Sequence, residues 1–137
     1  MTQEEKQLLL KALCGYLPYG VKVNVETTDS NGNEIKDEGV LNSVFINEYG
    51  MVYICIDGCE YELDDVKPYL RTMSSMTEEE RAEYFTLKHR DKDRVDNIIL
   101  ISEASALMDW LHKKGFDYYG FIPLGLALPA PEGMYNI

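Results

Sequence analysis

Residues 51–70, MVYICIDGCEYELDDVKPYL, constrain this chain more than any other stretch, because they fix a turn and the register of the strands on either side of it. Asp57-Gly58 is the turn. A two-residue hairpin loop needs positive φ at its central positions, and Asp-Gly tolerates that. Val52, Ile54 and Ile56 alternate with Tyr53 and Cys55 on the way in; Cys59, Tyr61 and Leu63 alternate with Glu60 and Glu62 on the way out. With those two residues as the whole loop, Ile56 lies opposite Cys59, Cys55 opposite Glu60, and Tyr53 opposite Glu62. One face is then Val52, Ile54, Ile56, Cys59, Tyr61 and Leu63; the other is Tyr53, Cys55, Glu60 and Glu62. A slip of one residue would turn the apolar set out to water, so the pattern specifies its own register.

The same register bears on chemistry. Cys55 and Cys59 have a C-x3-C spacing, within the range of zinc ligands. The hairpin sends them to opposite faces, with Cys59 expected in the core and Cys55 as a free thiol. The remaining candidates, Cys14, His89 and His112, are scattered along the chain, so neither a metal nor a disulfide is expected. The run Asp29-Ser30-Asn31-Gly32-Asn33 resembles the start of a calcium loop. Glu34 stands where that loop needs glycine, however, and Val40 where it needs glutamate. A hairpin loop is the simpler reading. No Gly-x-Ser-x-Gly, phosphate loop or dinucleotide fingerprint is present. Glu60 and Glu62 read as the wet face of a one-sided sheet. His89 and His112 read as cations near helix C-termini. No catalytic residue, cofactor or metal is expected.

Around the hairpin the chain divides into short elements. Thr2 caps a helix over residues 3–14, and Glu5 completes a capping box. Leu9, Ala12 and Leu13 form its apolar face, widened by Leu8 and Leu10, and Gly15 is expected as its C′ residue. Val21, Val23 and Val25 alternate with polar residues as a strand does. A second strand is expected from about 38 to 47, with a bulge near Gly39 or Asn42. Glu48-Tyr49-Gly50 turns the chain into the central hairpin. Pro68 is expected to stop regular pairing, so that residues 66–70 form a turn plugging one end of the sheet. Such strands make a small, strongly bent antiparallel sheet, and a Src-homology-3-like barrel is one form it can take.

The second part is helical. Thr77 caps a helix with Glu80 at the box position; Glu78, Glu79 and Glu80 sit at its positive end, and Lys88, His89 and Arg90 at its negative end. Residues 91–94 form a charged linker, and 97–101 a short strand or buried chain. Ser102 is expected to cap a third helix with Ala104, Leu107, Met108 and Leu111 on its apolar face. Gly115 ends it, with Phe116 placed to contact Leu111 in a Schellman motif. The whole reads as one α+β domain over residues 1–137: a helix plus small barrel-like sheet (1–73), then a helical part with an extended aromatic tail (74–137).

That tail, FDYYGFIPLGLALPAPEGMYNI, is cut by Gly120, Pro123, Gly125, Pro129 and Pro131, so it cannot hold a long helix. It is also too apolar to float free in water. With Trp110, Phe116 and Tyr135 it forms the best functional candidate in the chain. The expected interaction patch is Trp110, Tyr118, Tyr119 and Phe121, with Tyr118 and Tyr119 exposed beside a glycine break. Tyrosine and tryptophan combine large contact area with a polar handle.

Charge narrows the partners. The chain has 137 residues, 45% hydrophobic, with 13 Lys and Arg against 24 Asp and Glu and a formal net charge of −11. Repulsion from phosphates argues against direct nucleic-acid binding. No apolar run approaches the ~20 residues that span a bilayer. Acidic residues precede the short N-terminal apolar run, against a secretory signal. The odd cysteine count then fits a reducing cytoplasm. Nothing in the pattern fixes an oligomeric state. The expected function is a non-enzymatic interaction with another protein. The alternatives are an acidic nucleic-acid mimic that inhibits a host or defence protein, and an enzyme with an unrecognised site.

Three strings, LLLKALCGYLPYGVKV, DVKPYLRTMSSMTEEE and WLHKKGFDYYGFIPLGLALPAPEGMYNI, resemble a family of uncharacterised small proteins encoded by gut Bacteroidales and their prophages. The resemblance covers most of the chain, least so around residues 29–37. It implies a mobile-element setting in the cytoplasm of a host cell, and it carries no activity, cofactor or site residue with it.

Overall fold

The hairpin forms in the register its sequence dictates. Ile56 pairs with Cys59, Cys55 with Glu60, Ile54 with Tyr61, and Tyr53 with Glu62. Asp57 and Gly58 both take positive φ, 48° and 83°. The structure is a computed structural model that describes residues 1–88 and 104–135 in full, and residues 97–103 as backbone. Its elements are α1 (Gln3–Tyr16), β1 (Lys22–Thr28), β2 (Glu34–Ile46), β3 (Val52–Ile56), β4 (Cys59–Glu62), β5 (Val66–Leu70), α2 (Glu78–Lys88), α3 (Asn97–Lys114) and β6 (Leu128–Pro129). His89, Arg90 and the charged stretch 91–94 lie outside the described residues.

The strands form one six-stranded mixed sheet in the order β4-β3-β2-β1-β5-β6, antiparallel through β5 and parallel between β5 and β6. It does not close into a barrel. β2 is its spine: residues 34–40 pair with β1 and residues 41–46 with β3, and the register shifts between Leu41 and Ser43. The bulge is at Asn42, whose side-chain oxygen accepts the Asp57 N–H at 2.6 Å and so ties the bend to the hairpin turn. Gly39 serves a different purpose. A Cβ there would lie 2.7 Å from the Ile56 side chain, so the missing side chain lets the hairpin end fold close over β2.

Residues 66–70 are a strand, not a plugging turn. Val66, Pro68 and Leu70 are buried while Lys67 is exposed and Tyr69 half-buried, which is strand alternation. Pro68 lies opposite Val23, and pairing with β6 begins only at Tyr69. The absent N–H therefore leaves no gap in the outer ladder.

α1 covers one face. Leu9, Ala12, Leu13 and Tyr16 pack on Val23, Val25, Ile54 and Ile56 in the main core. Its capping box forms as expected, with Thr2 and Glu5 exchanging hydrogen bonds at 3.0 and 3.1 Å. Gly15 does not end the helix; α1 continues through Tyr16 into a 3-10 turn at Leu17–Tyr19. Cys59 is exposed rather than in the core, because it sits at the hairpin tip on the outermost strand. Cys55 is half-buried, Cys14 is exposed, and all three thiols are free.

A second, smaller core of Met76, Leu111 and Phe116 joins α2 and α3 to the sheet. Thr77 and Glu80 form the expected capping box at 3.0 and 3.1 Å. α3 starts at Asn97, so residues 97–101 are helical and Ser102 lies inside the helix instead of capping it. Of the expected apolar face, Leu107, Met108 and Leu111 pack into this second core, whereas Ala104 is exposed.

Candidate functional site

The C-terminal tail is built inward. At the end of α3 the Phe116 N–H donates to the Leu111 carbonyl at 3.0 Å and the Gly115 N–H to His112 at 3.1 Å, a Schellman motif with Gly115 at φ 73°. The chain then runs beside Arg71. The Arg71 N–H donates to the Gly115 carbonyl at 2.7 Å, and the Asp117 N–H to the Arg71 carbonyl at 2.8 Å. The buried Asp117 carboxylate accepts the N–H groups of Gly120, Phe121 and Ile122 at 3.1, 2.8 and 2.9 Å. One short side chain thereby satisfies three backbone donors of a segment that prolines and glycines keep out of a helix. β6 docks on β5, and Tyr135 completes the attachment. Its hydroxyl accepts the Lys22 N–H at 2.9 Å and donates to the Tyr69 carbonyl at 2.6 Å. Lys22 and Tyr69 are the next pair in the β1–β5 register, so the phenol bridges the ladder where the strands part.

The four residues of the expected patch divide accordingly. Phe121 is 2% exposed and belongs to the main core, so it offers no contact surface. Trp110 is half-buried between Tyr84 and Phe116, with ring centroids at 6.0 and 5.6 Å, and its indole N–H donates to Glu83 at 2.8 Å. Tyr118 is half-buried, not exposed as expected, and touches both cores. Tyr119 is 47% exposed and lies tilted against Tyr118 and Phe121, with ring centroids at 4.7 and 5.4 Å. Tyr118, Tyr119 and Phe121 form one ring chain; Trp110 belongs to another.

Behind Tyr118 lies a half-buried polar contact. His112 Nε2 and the Tyr118 hydroxyl share a hydrogen bond of 2.6 Å. The Tyr16 ring meets His112 edge-on at 5.0 Å, and the Tyr16 hydroxyl donates to the Phe116 carbonyl. Burial raises the pKa values of Tyr16 and Tyr118, the latter to about 12, and lowers that of His112. Burial thus disfavours the helix-end cation expected of His112. Gly15 makes room for it: a Cβ there would lie 2.4 Å from His112 Nε2.

A cleft of about 470 Å³ lies between the tail and the start of α2, with Arg71, Thr72, Ser75, Thr77 and Tyr135 on its walls. Its cation is already paired. Arg71 Nη1 and Nη2 bind the two Glu80 oxygens at 2.8 and 2.7 Å, with side chains only 14% and 8% exposed. The guanidinium also lies 4.3 Å over the Phe116 ring. The Arg71 hydrogen bonds hold the Glu80 carboxyl at about 2, and the Thr77 N–H adds to this. A carboxylate so firmly ionised is a poor proton shuttle near neutral pH. Among the described residues no group of three or more His, Cys, Asp or Glu side chains could hold a metal. No described helix is long and apolar enough to cross a membrane.

Besides Leu124 in the tail, 60% exposed, apolar side chains are displayed at the β2–β3 connection, which the sequence pattern marks only as a turn. Asn47 organises it. Its side-chain oxygen accepts the N–H groups of Tyr49 and Met51, both at 2.9 Å; its own N–H donates to the Met51 carbonyl at 2.9 Å, and its carbonyl accepts the Gly50 N–H at 3.0 Å. This turn carries Tyr49 at 81% exposure, with Ile46 at 59% and Met51 at 45% beside it. Next to it, between α1 and the β3–β4 end, is a groove of about 260 Å³. Leu10, Met51, Val52 and Leu63 supply its apolar lining; Gln3, Lys6, Gln7, Glu62 and Asp64 its polar lining. Lys6 pairs with Asp64 at 3.1 Å. The available signal was Ile46, Tyr49 and Met51 crowded round a turn that needs no apolar residue.

No protein-family model, no curated protein and no solved structure matches the chain.

Proposed function

We propose that the protein is a non-enzymatic protein-interaction module whose contact surface is the β2–β3 tip and the groove beside it. One observation carries this: a turn held by four hydrogen bonds projects Tyr49 into solvent beside two further exposed apolar side chains. Exposed Tyr, Met and Ile on a preorganised loop form a low-entropy contact surface. The groove volume, about 260 Å³, is below the roughly 300–1,000 Å³ of sites that enclose a small molecule. It suits a side chain from a partner better than a substrate.

The scaffold is read as a Src-homology-3-like half-barrel. Supporting this are the antiparallel order β4-β3-β2-β1-β5, the bend of β2 at Asn42, and the 3-10 turn Leu63–Asp65 before β5. The acidic-mimic reading draws less support, because six carboxylates are engaged by other side chains of the same molecule. Asp37 accepts from Tyr61, Glu38 from Tyr69, Asp65 from Thr27 and Glu83 from Trp110, while Asp64 and Glu80 are in ion pairs. In the cytoplasmic, mobile-element setting that the family resemblance implies, the partner would be a host or phage protein.

Affinity capture from a Bacteroidales lysate, with mass spectrometry, tests the reading. The expected result is a partner lost with Tyr49→Ala/Met51→Ala and retained with Tyr119→Ala. The opposite pattern would return the contact surface to the tail. A partner indifferent to all three substitutions would remove both.

A further inference from the structure

Resting on that reading, we infer that the groove beside the β2–β3 tip receives a basic segment of another protein, anchored by one large apolar side chain. The groove has the anatomy of an anchor site: an apolar floor (Leu10, Val52, Leu63 and Met51) inside a polar rim. Within the rim Lys6 is already neutralised by Asp64 at 3.1 Å, which leaves Glu62 as the uncompensated charge. Glu48, on the tip itself, and Glu60, on the adjoining strand, are exposed and extend the same sign. The chain's net charge of −11 adds a long-range field of that sign.

Two other occupants fit less well. A second copy of this chain would meet the patch through a two-fold contact, which sets like on like and brings Glu48 and Glu62 toward their own copies. The chain's own tail is tied at the far side of the sheet, where Tyr135 bridges Lys22 and Tyr69. A cationic segment with a single apolar anchor satisfies both the floor and the rim. The floor supplies affinity through burial, and the rim selects the partner's charge and speeds encounter.

A fluorescein-labelled peptide with one phenylalanine flanked on each side by lysines is the probe, read by anisotropy and by ¹H–¹⁵N chemical-shift mapping. The expected result is saturable binding with shifts at Met51, Val52, Glu62 and Leu63. Replacing the phenylalanine with alanine should weaken binding about tenfold, since burying one such side chain is worth roughly that or more. Replacing the lysines with glutamates should abolish it, and raising salt should weaken it. Glu62→Gln should weaken the lysine probe by roughly two- to fivefold while leaving the amide spectrum dispersed. Equal binding of the lysine and glutamate peptides at the groove would overturn the inference and leave the tip as a contact surface. So would shifts scattered over the acidic surface, with no loss on removing the phenylalanine. No binding by any peptide would also overturn it, whereas the proposed function stands or falls separately on capture with the Tyr49→Ala/Met51→Ala variant.

Discussion

The tail and the β2–β3 tip handle aromatic side chains differently. The tail region has the richer aromatic run, yet Phe116 and Phe121 are buried, Tyr118 is half-buried, and Tyr119 alone among the aromatic residues from 116 to 121 is largely open. The tip has a single aromatic residue and leaves it almost wholly in water. The difference lies in where the backbone donors are satisfied. In the tail, Asp117, Arg71 and Tyr135 draw the chain onto the sheet. In the tip, Asn47 satisfies the turn from within, so nothing pulls its side chains down. Aromatic density is thus a poor guide to exposure, and a self-contained hydrogen-bonded turn a better one.

The largest test of this contrast removes the support beneath the tail. Glu80→Ala strands the Arg71 guanidinium in a site where its side chain is 14% exposed. The expected loss is about 3–5 kcal/mol in urea unfolding, as for other broken buried pairs. The same pair gives a pH signature. The Glu80 pKa is depressed in the folded state, to about 2, so its contribution is complete above the ordinary glutamate value near 4.3. That contribution is lost as pH falls from there toward about 2, and it is worth on the order of 3 kcal/mol. Glu80→Ala should flatten that part of the stability profile. An unchanged acid profile would mean that the pair does not hold the tail's base.

Asp117→Ala attacks the tail directly. Three N–H donors lose their common acceptor, and Phe121 loses the loop that seats it in the core. A loss of about 3 kcal/mol is expected. Limited proteolysis should then cut near residues 118–126 first, while the tip stays protected. Early cutting at the tip instead would reverse the comparison.

Gly15→Ala probes the packing behind Tyr118. Alanine should favour a helix interior by roughly 0.5–1 kcal/mol. Here its Cβ would meet the His112 ring at 2.4 Å, and overpacking costs roughly 1–3 kcal/mol. A net loss of about 1 kcal/mol follows, measured by thermal or urea unfolding. It should largely disappear when His112→Ala is added, because the two sites are coupled. A stabilised single variant would show that the ring moves aside freely.

Tyr135→Phe removes only a hydroxyl, at a point where it accepts from Lys22 and donates to Tyr69. About 1 kcal/mol should be lost, with faster amide exchange at Lys22 and none at the tip.

What was legible in the sequence follows the same division. The hairpin register, both capping boxes, the Schellman end of α3 and the bulged β2 rest on local rules, and Asp57-Gly58, Thr2, Thr77 and Gly115 declare them. The elements whose local signals mislead have their partners far away. Pro68 is acceptable in a strand because of where β6 pairs. Gly15 looked like a helix end because the ring that fills its place comes from α3. Cys59 had the parity of a core residue but sits on the outermost strand, and strand order is not written in parity. The patch of Trp110, Tyr118, Tyr119 and Phe121 was inferred from residue type. Which of them faces water depends on Asp117 accepting N–H groups three to five residues on, and on packing against Arg71 and Glu80 far upstream.

Tyr49→Ala carries the smallest expected effect on stability and tests the other half of the comparison most directly. At 81% exposure the ring contributes little to the core, and the hydrogen bonds of its turn use the Asn47 side chain and backbone groups, none of which the substitution removes. Stability should therefore change by no more than about 0.5 kcal/mol, the usual range for surface positions. A phenol that folding does not require, held out by its own turn, is what the proposed contact surface needs. A loss above about 1 kcal/mol would instead place the ring among the supports of the fold, and the case for the tip as a contact surface would fall with it.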